Sequence, residues 1–313
     1  MGAKGHFLRH ISCQNLLSVD DLSHDDVAYI LGSAAMFEEK LKEADALDML
    51  QGKILSTLFF EASTRTRLSF ETAMHKLGGK VLSVDGSLSS IKKGESLSDM
   101  GRIISSYSDI MVMRHPESGS VKELASMSTV PVVNAGDGAN QHPTQALLDL
   151  YTIVSEKEEL AGLNIGFLGD LKYGRTVHSL ARLLEDYDVN FVMISHPDLK
   201  MPKSLVNELN EMGHSVTEVQ NIQEVIGDLD VLYVTRIQEE RFPTKDEFER
   251  LKSEYQVNAA LLKSAKDDLI VLHPLPRVQE IHPELDSDPR AKYFKQAKNG
   301  VYVRMALLLG MLM

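Results

Sequence analysis

Ser63-Thr64-Arg65-Thr66-Arg67 packs hydroxyls and two guanidinium groups into what reads as one helical turn, after the apolar run Ile54 to Phe60 and the polar turn Glu61-Ala62-Ser63. A helix starting there offers unpaired backbone N–H groups and the positive end of its dipole, which favours an anion. The hydroxyls and guanidinium add charge-assisted bonds suited to a phosphate. Arginines in a first turn oppose the dipole unless an anion offsets them. The plainer alternative is that Ser63 only caps the helix and the arginines are solvated. The crowding of cations and hydroxyls into one turn weighs against it. Arg114-His115-Pro116 follows another apolar run, so Arg114 either reaches the same anion or faces solvent. His142 and Gln145 stand three apart at a helix start headed by Pro143, so both can face one point. An imidazole and an amide suit a carbonyl and an amino group better than a phosphate. A hydrogen-bonded structural histidine is the alternative.

The second half offers three more sites. Arg175-Thr176 opens a helix after Gly169-Asp170-Leu171-Lys172-Tyr173-Gly174 and reads as a carboxylate site. Arg236 and Gln238 are polar groups separated by one residue. In His273-Pro274-Leu275-Pro276-Arg277 the prolines fix the backbone and leave the carbonyls of Pro274 and Leu275 available to an NH2 group. The loop Ser87 to Lys93, with Ser89, Ser90, Lys92 and Lys93, reads from spacing alone as a solvated segment.

These residues fall where alternating strands and helices would place them. A helix is expected from Ser23 to Glu43, with Ser23 and Asp26 at capping-box spacing. Strands are expected at Ile54 to Phe60, Lys80 to Val84, Asp109 to Met113 and Val130 to Val133, with helices ending at Leu77 and running from Pro143 to Val154. A second series has strands at Asn164 to Leu168, Asn190 to Ser195, Val231 to Thr235 and Leu269 to Leu272, with helices at Arg175 to Tyr187 and Pro202 to Met212. Glu156 to Glu159 marks a charged junction between the halves. Such alternation implies two doubly wound α/β domains with parallel sheets, the active site lying in the cleft between them. Ligands in these folds bind beyond the carboxyl ends of the strands, which is where the polar residues above recur.

Composition narrows the chemistry. A chain of 313 residues suggests two domains at about 100–200 residues each. With 33 Lys and Arg against 45 Asp and Glu, the net charge of −12 argues against nucleic acid or an anionic membrane as partner. Cys13 is the only cysteine, which fits a reducing cytoplasm and rules out an intrachain disulfide. No targeting segment is expected, and the apolar stretch Met305 to Met313 is too short for a membrane span and reads as a core helix. Gly166, Gly169 and Gly174 do not match G-x-G-x-x-G, and the following strand ends in Ser195-His196-Pro197 without a ribose-binding acid, so no dinucleotide is expected. G-x-x-x-x-G-K-[ST], H-E-x-x-H and G-x-S-x-G are absent, and the 11 histidines are scattered. No metal and no other cofactor is expected.

Phe59-Phe60-Glu61-Ala62-Ser63-Thr64-Arg65-Thr66-Arg67-Leu68-Ser69-Phe70-Glu71 resembles the carbamoyl-phosphate signature of the aspartate and ornithine carbamoyltransferases, and His142-Pro143-Thr144-Gln145 resembles that family's second motif. Pro274 stands where the ornithine branch usually has cysteine, so the last motif is similar to the aspartate branch, as are Gly169 to Thr176 and Thr235-Arg236-Ile237-Gln238. The resemblance covers nearly the whole chain. It implies a carbamoyl-phosphate-binding domain of residues 1–150 plus 293–313 and an L-aspartate-binding domain of residues 151–292. Ser63, Thr64, Arg65, Thr66 and Arg114 would hold the phosphate. Arg65, Thr66, Arg114 and His142 would be catalytic, the last three polarising the carbamoyl carbonyl, with His142 donating as neutral imidazole. Gln145 and the backbone of Pro274, Leu275 and Pro276 would fix the carbamoyl NH2. Arg175, Thr176, Arg236 and Gln238 would bind the aspartate carboxylates. Lys93 and Ser89, or the adjacent Ser90, would reach in from a neighbouring chain of a homotrimer, with regulatory chains as possible further partners. The implied reaction is direct attack of the aspartate amine on carbamoyl phosphate. A carbamoyltransferase for another amine and a non-catalytic anion-binding relative are the alternatives.

Overall fold

The computed structural model describes residues 9–85, 94–237 and 255–313. Lys93, Ser89, Ser90 and Gln238 lie outside the described residues. The chain divides into two compact units, Met1–Tyr151 with Lys298–Met313, and Thr152–Ala297.

The first unit carries α1 (His24–Lys40), β1 (Ile54–Phe59), α2 (Thr64–Lys76), β2 (Lys80–Asp85), α3 (Leu97–Ser105), β3 (Ile110–His115), α4 (Ser120–Met127) and β4 (Val132–Asp137). The helix α5 (Pro143–Glu156) begins in it, and the closing helix α9 (Tyr293–Leu312) ends in it. Its strands form one parallel sheet in the order β2-β1-β3-β4. The central strands β1 and β3 are covered on both faces and are almost continuously buried, and the edge strand β4 is buried as well, with Leu16 bonded along its outer side. Ser23 caps α1, and its reciprocal bond with Asp26 is the capping box expected from the sequence.

The second unit carries β5 (Leu163–Leu168), α6 (Arg175–Leu183), β6 (Val189–Ile194), α7 (Lys203–Glu211), β7 (Val216–Val219), β8 (Val231–Val234), α8 (Ala259–Leu262) and β9 (Ile270–Leu272). Its parallel sheet runs β7-β6-β5-β8-β9. Leu168, Ile194, Leu232, Val234 and Val271 form much of its core. Both units are therefore doubly wound α/β folds with parallel sheets, as the alternation predicts.

Details differ from expectation in physical ways. β4 starts at Val132 and runs on to Asp137, because Asp137 and Asn134 are both buried and hydrogen-bonded rather than solvated. The edge strand β7 was not anticipated. It is short, polar, and its middle residues are exposed, so it lacks an apolar signal. Glu156, placed in the expected charged junction, is the last residue of α5 and is gripped by Lys292 at 2.8 Å and Lys295 at 2.6 Å.

Each sheet reverses direction once. In the first, the chain winds outward from β1 to β2 and from β3 to β4, so the reversal lies between β1 and β3. In the second it lies between β5 and β8. A crevice outside the carboxyl ends of these strands is the expected ligand position. Ser63 to Arg67 and Arg114 follow or end the first pair of strands, and Arg175, Thr176 and Arg236 follow the second.

Candidate active site

The turn after β1 opens α2, and its N-cap is Ser63. The hydroxyls of Ser18, Ser23 and Ser96 all accept capping bonds from their helices, whereas that of Ser63 makes none. Ser63 is thus not spent on capping. The first turn of α2 contains no acidic residue. Thr66 is 6% exposed, while Arg65 lies on the open side of the helix. Partial burial draws the Arg65 guanidinium below its ordinary value, and among the described residues it forms no ion pair. Arg67 instead leans 3.6 Å from Glu71, one helical turn on. This first turn is a cationic, donor-rich surface without an internal counter-ion at Arg65.

Arg114 enters from β3, paired in register with Phe59 of β1. The β3–β4 register shifts between Met113 and His115, and such an irregularity re-aims side chains. Arg114 is held by Glu61 at 3.1 Å and by the carbonyl of Ala135 at 3.3 Å. Glu61, in the turn after β1, is a member of this candidate site that sequence reasoning passed over, although it stands two positions before Ser63.

His142 and Gln145 both belong to the start of α5, and both are buried. The approach to them is pinned by the Asp137 carboxylate, which accepts from Asn134, Asn140 and the backbone N–H groups of Gly119 and Gln141. Gln145 Nε2 donates to Asp149 Oδ1 at 2.8 Å. A carboxylate only accepts, so the amide is oriented and Oε1 remains its acceptor. One more residue ties this region together: Arg304 of α9 bonds to Ser69 of α2 and Thr144 of α5.

In the second unit, the turn after β5 is fixed at backbone level. Gly169 has φ +117°, and a Cβ there would lie 2.5 Å from the Thr235 carbonyl oxygen. Asp170 Oδ1 accepts from the N–H groups of Lys172 and Tyr173, which shapes the entry into α6. Thr235 Oγ1 donates back to Leu168 at 3.1 Å. The side chains that would do chemistry are less buried: Arg175 and Thr176 are half-buried and Arg236 is exposed.

The prolines after β9 are braced from behind. His273 Nε2 lies 2.8 Å from Glu280 Oε1, and the Leu275 N–H donates to His273 Nδ1 at 2.8 Å. Because Nδ1 accepts, the ring proton sits on Nε2 and faces Glu280. Burial raises the Glu280 carboxyl, but bonds from His273 and from backbone N–H groups outweigh it and bring the group down to about 2. Leu275 has φ +56°, a left-handed conformation rare for a bulky side chain, and the Leu275–Pro276 peptide is cis. The carbonyls of Pro274 and Leu275 thus sit on a backbone set by Glu280 through His273. Neither Glu280 nor this relay was foreseen.

Residues 14–155 match the family model "Aspartate/ornithine carbamoyltransferase, carbamoyl-P binding domain", and residues 161–311 match "Aspartate/ornithine carbamoyltransferase, Asp/Orn binding domain". The chain belongs to the aspartate/ornithine carbamoyltransferase family. Within this carbamoyltransferase family it is similar to the aspartate carbamoyltransferase catalytic subunit of Thermococcus gammatolerans, 54% identical over 94% of this chain and 96% of that one. Its fold is similar to the catalytic subunit of M. jannaschii aspartate transcarbamoylase, with a TM-score of 0.91, 46% identity, and 96% of this chain and 98% of that chain covered. It is likewise similar to the Trypanosoma cruzi enzyme crystallised with carbamoyl phosphate and aspartate, with a TM-score of 0.91, 38% identity, and 98% and 96% of the two chains covered. The carbamoyltransferase reading made from the motifs is therefore the right family. Among the described residues no helix is long and apolar enough to cross a membrane, and no group of three His, Cys, Asp or Glu is placed to hold a metal ion.

Proposed function

We propose that this chain transfers the carbamoyl group of carbamoyl phosphate to the amine of L-aspartate, giving N-carbamoyl-L-aspartate and phosphate, an early step of de novo pyrimidine biosynthesis. The observation that carries the reading is the oriented amide of Gln145. With Nε2 committed to Asp149, its Oε1 is left to accept from an NH2, beside a buried His142. An NH2 acceptor, a carbonyl donor and a cationic helix start together suit carbamoyl phosphate. The T. cruzi relative, crystallised with both carbamoyl phosphate and aspartate, supports the substrate pair.

Residues 1–150 with 293–313 form the carbamoyl-phosphate-binding half, and residues 151–292 the L-aspartate-binding half. Ser63, Thr64, Arg65, Thr66 and Arg114 bind the phosphate. Thr66, Arg114 and His142 donate to the carbonyl oxygen, where negative charge builds in the tetrahedral intermediate. Gln145 and the backbone at Pro274, Leu275 and Pro276 fix the carbamoyl nitrogen. Arg175, Thr176, Arg236 and Gln238 bind the two carboxylates, for which guanidinium forks are suited and lysines are not. The amine nitrogen forms the new C–N bond, the C–O bond to phosphate breaks, and the departing phosphate takes the amine proton. No enzyme nucleophile is needed.

Lys93 and Ser89, or Ser90 beside it, complete the site from an adjacent chain, so the working form is a cytoplasmic homotrimer. The name "catalytic subunit" on the relatives supports further assembly with regulatory chains. The test is product formation by the isolated chain. Carbamoyl aspartate from carbamoyl phosphate and L-aspartate is expected. Product from ornithine alone would assign another amine substrate, and phosphate binding without product from either amine would make the chain a non-catalytic anion binder. Mixing inactive Lys93→Ala and Arg65→Ala chains under exchange should restore activity, and no recovery would count against shared sites.

A further inference from the structure

Arg304 is a buried cation that none of the roles above uses. It stands in α9 among Tyr302, Val303, Met305, Ala306 and Leu307, all buried, and is itself 3% exposed. Placing a guanidinium there costs several kcal/mol by desolvation, and apolar replacements of buried ion pairs are often at least as stable. Packing alone therefore does not explain it.

Its contacts do. Nη1 donates to Ser69 Oγ at 2.7 Å, and Nη2 donates to Thr144 Oγ1 at 3.3 Å. Ser69 passes the interaction on, because its hydroxyl donates to the backbone carbonyl of Thr66 at 2.9 Å. Thr66 is in the first turn of α2, and Thr144 lies between His142 and Gln145 in the first turn of α5. The guanidinium lies 4.9 Å from the centroid of Phe70, also on α2. One side chain thus spans the starts of both helices that carry the candidate donors. The helix makes room for it: a Cβ at Gly300 would lie 2.5 Å from Nη1. Burial pulls the guanidinium down to about 9, Asp149 pushes it up and Arg114 pushes it down, so it stays charged near neutral pH. Asp149 is the same carboxylate that orients Gln145.

We propose that Arg304 is a positioning residue that holds the starts of α2 and α5 in one geometry through Ser69 and Thr144, and so sets the carbamoyl-phosphate site without touching substrate. A lysine would keep the charge but not the fork, and would reach one hydroxyl instead of two. The kinetic part of this proposal rests on the carbamoyl-transfer reading; its binding part does not.

The test uses the full chain with Arg304→Lys, Ser69→Ala, Thr144→Val and the Ser69→Ala/Thr144→Val double variant. Calorimetric titration with inorganic phosphate and steady-state kinetics with both substrates are compared with the thermal midpoint. Arg304→Lys and the double variant should each weaken phosphate binding and raise the KM for carbamoyl phosphate by about tenfold, the scale of a small misplacement of binding groups, and leave the KM for L-aspartate unchanged. Ser69→Ala should add nothing in an Arg304→Met background. If that chain does not fold, the double variant carries the test. Unchanged phosphate affinity and carbamoyl-phosphate KM in folded variants would overturn the proposal. So would a parallel rise in both KM values that tracks a falling midpoint, since that is general destabilisation. If the parent chain makes no product and the variants still lose phosphate affinity, the reaction assignment fails and the positioning role stands.

Discussion

The candidate anion sites of the two units follow the same topological logic and are finished differently. In the first unit, Thr66, His142 and Gln145 are buried, and their helices are braced by Asp137, Asp149 and Arg304. In the second, Gly169, Asp170 and Thr235 fix the backbone, while Arg236 extends into the open. Donors that meet charge appearing only in the transition state gain most from being fixed in advance, since they then need no reorganisation. Groups that recognise carboxylates already present in the substrate lose less by being mobile. On the proposed function, the first unit serves the reacting centre and the second serves recognition.

Substitutions should separate the two. The largest effect is expected at Arg114, where Arg114→Ala should lower kcat by about 10²–10³-fold, as loss of one carbonyl donor does. If kcat holds and only a KM rises, the donor assignment is wrong. Arg236→Ala should act on the other side of the comparison, raising the KM for L-aspartate by about 10²-fold, the worth of a charge-assisted pair, with phosphate binding unchanged. Weakened phosphate binding in that variant would erase the division of labour. Gly169→Ala puts a methyl 2.5 Å from the Thr235 carbonyl in a left-handed backbone position, and should cost about 1–3 kcal/mol of stability measured by urea unfolding. An unchanged unfolding midpoint would show that this backbone is not rigid after all.

The effect that is smallest near neutral pH is one of titration. Glu280 sits at about 2 in the folded chain against an ordinary 4.5, so its stabilising contribution is complete above pH 4.5 and disappears as pH falls towards 2. The loss should be at most about 3 kcal/mol, confined to acid and absent near neutral pH. Glu280→Gln should flatten this acid limb of the stability curve, and an identical limb in both proteins would remove Glu280 as its source.

How much of this could be read beforehand depends on how local the signal was. Ser63 to Arg67 announced themselves because hydroxyls and cations followed an apolar strand directly, and the positions of Arg114, Arg175 and Arg236 at strand ends were legible for the same reason. The alternation of strands and helices gave both sheets. The braces were not legible. Arg304 and Ser69 are far apart in sequence, and the only trace of their partnership is a cation inside the apolar run Val301 to Leu309. Glu280 carries no sequence signal of its own; its hydrogen bonds from His273 and the backbone appear only in the fold. Asp149 is an acid in a helix buried along most of its length, and nothing about its spacing reveals that Gln145 is turned by it.

The first unit is discontinuous along the chain, since Lys298–Met313 return to it after the whole of the second. Ile11 donates its N–H to the carbonyl of Gly310, and Val303 to Leu309 are all buried. During synthesis, the segment Thr152–Ala297 is complete as it leaves the ribosome, whereas the unit begun before it waits for the final helix to emerge. The first unit, started first, matures last, and a transcript cut short after the second unit would yield a nascent chain with the first left open.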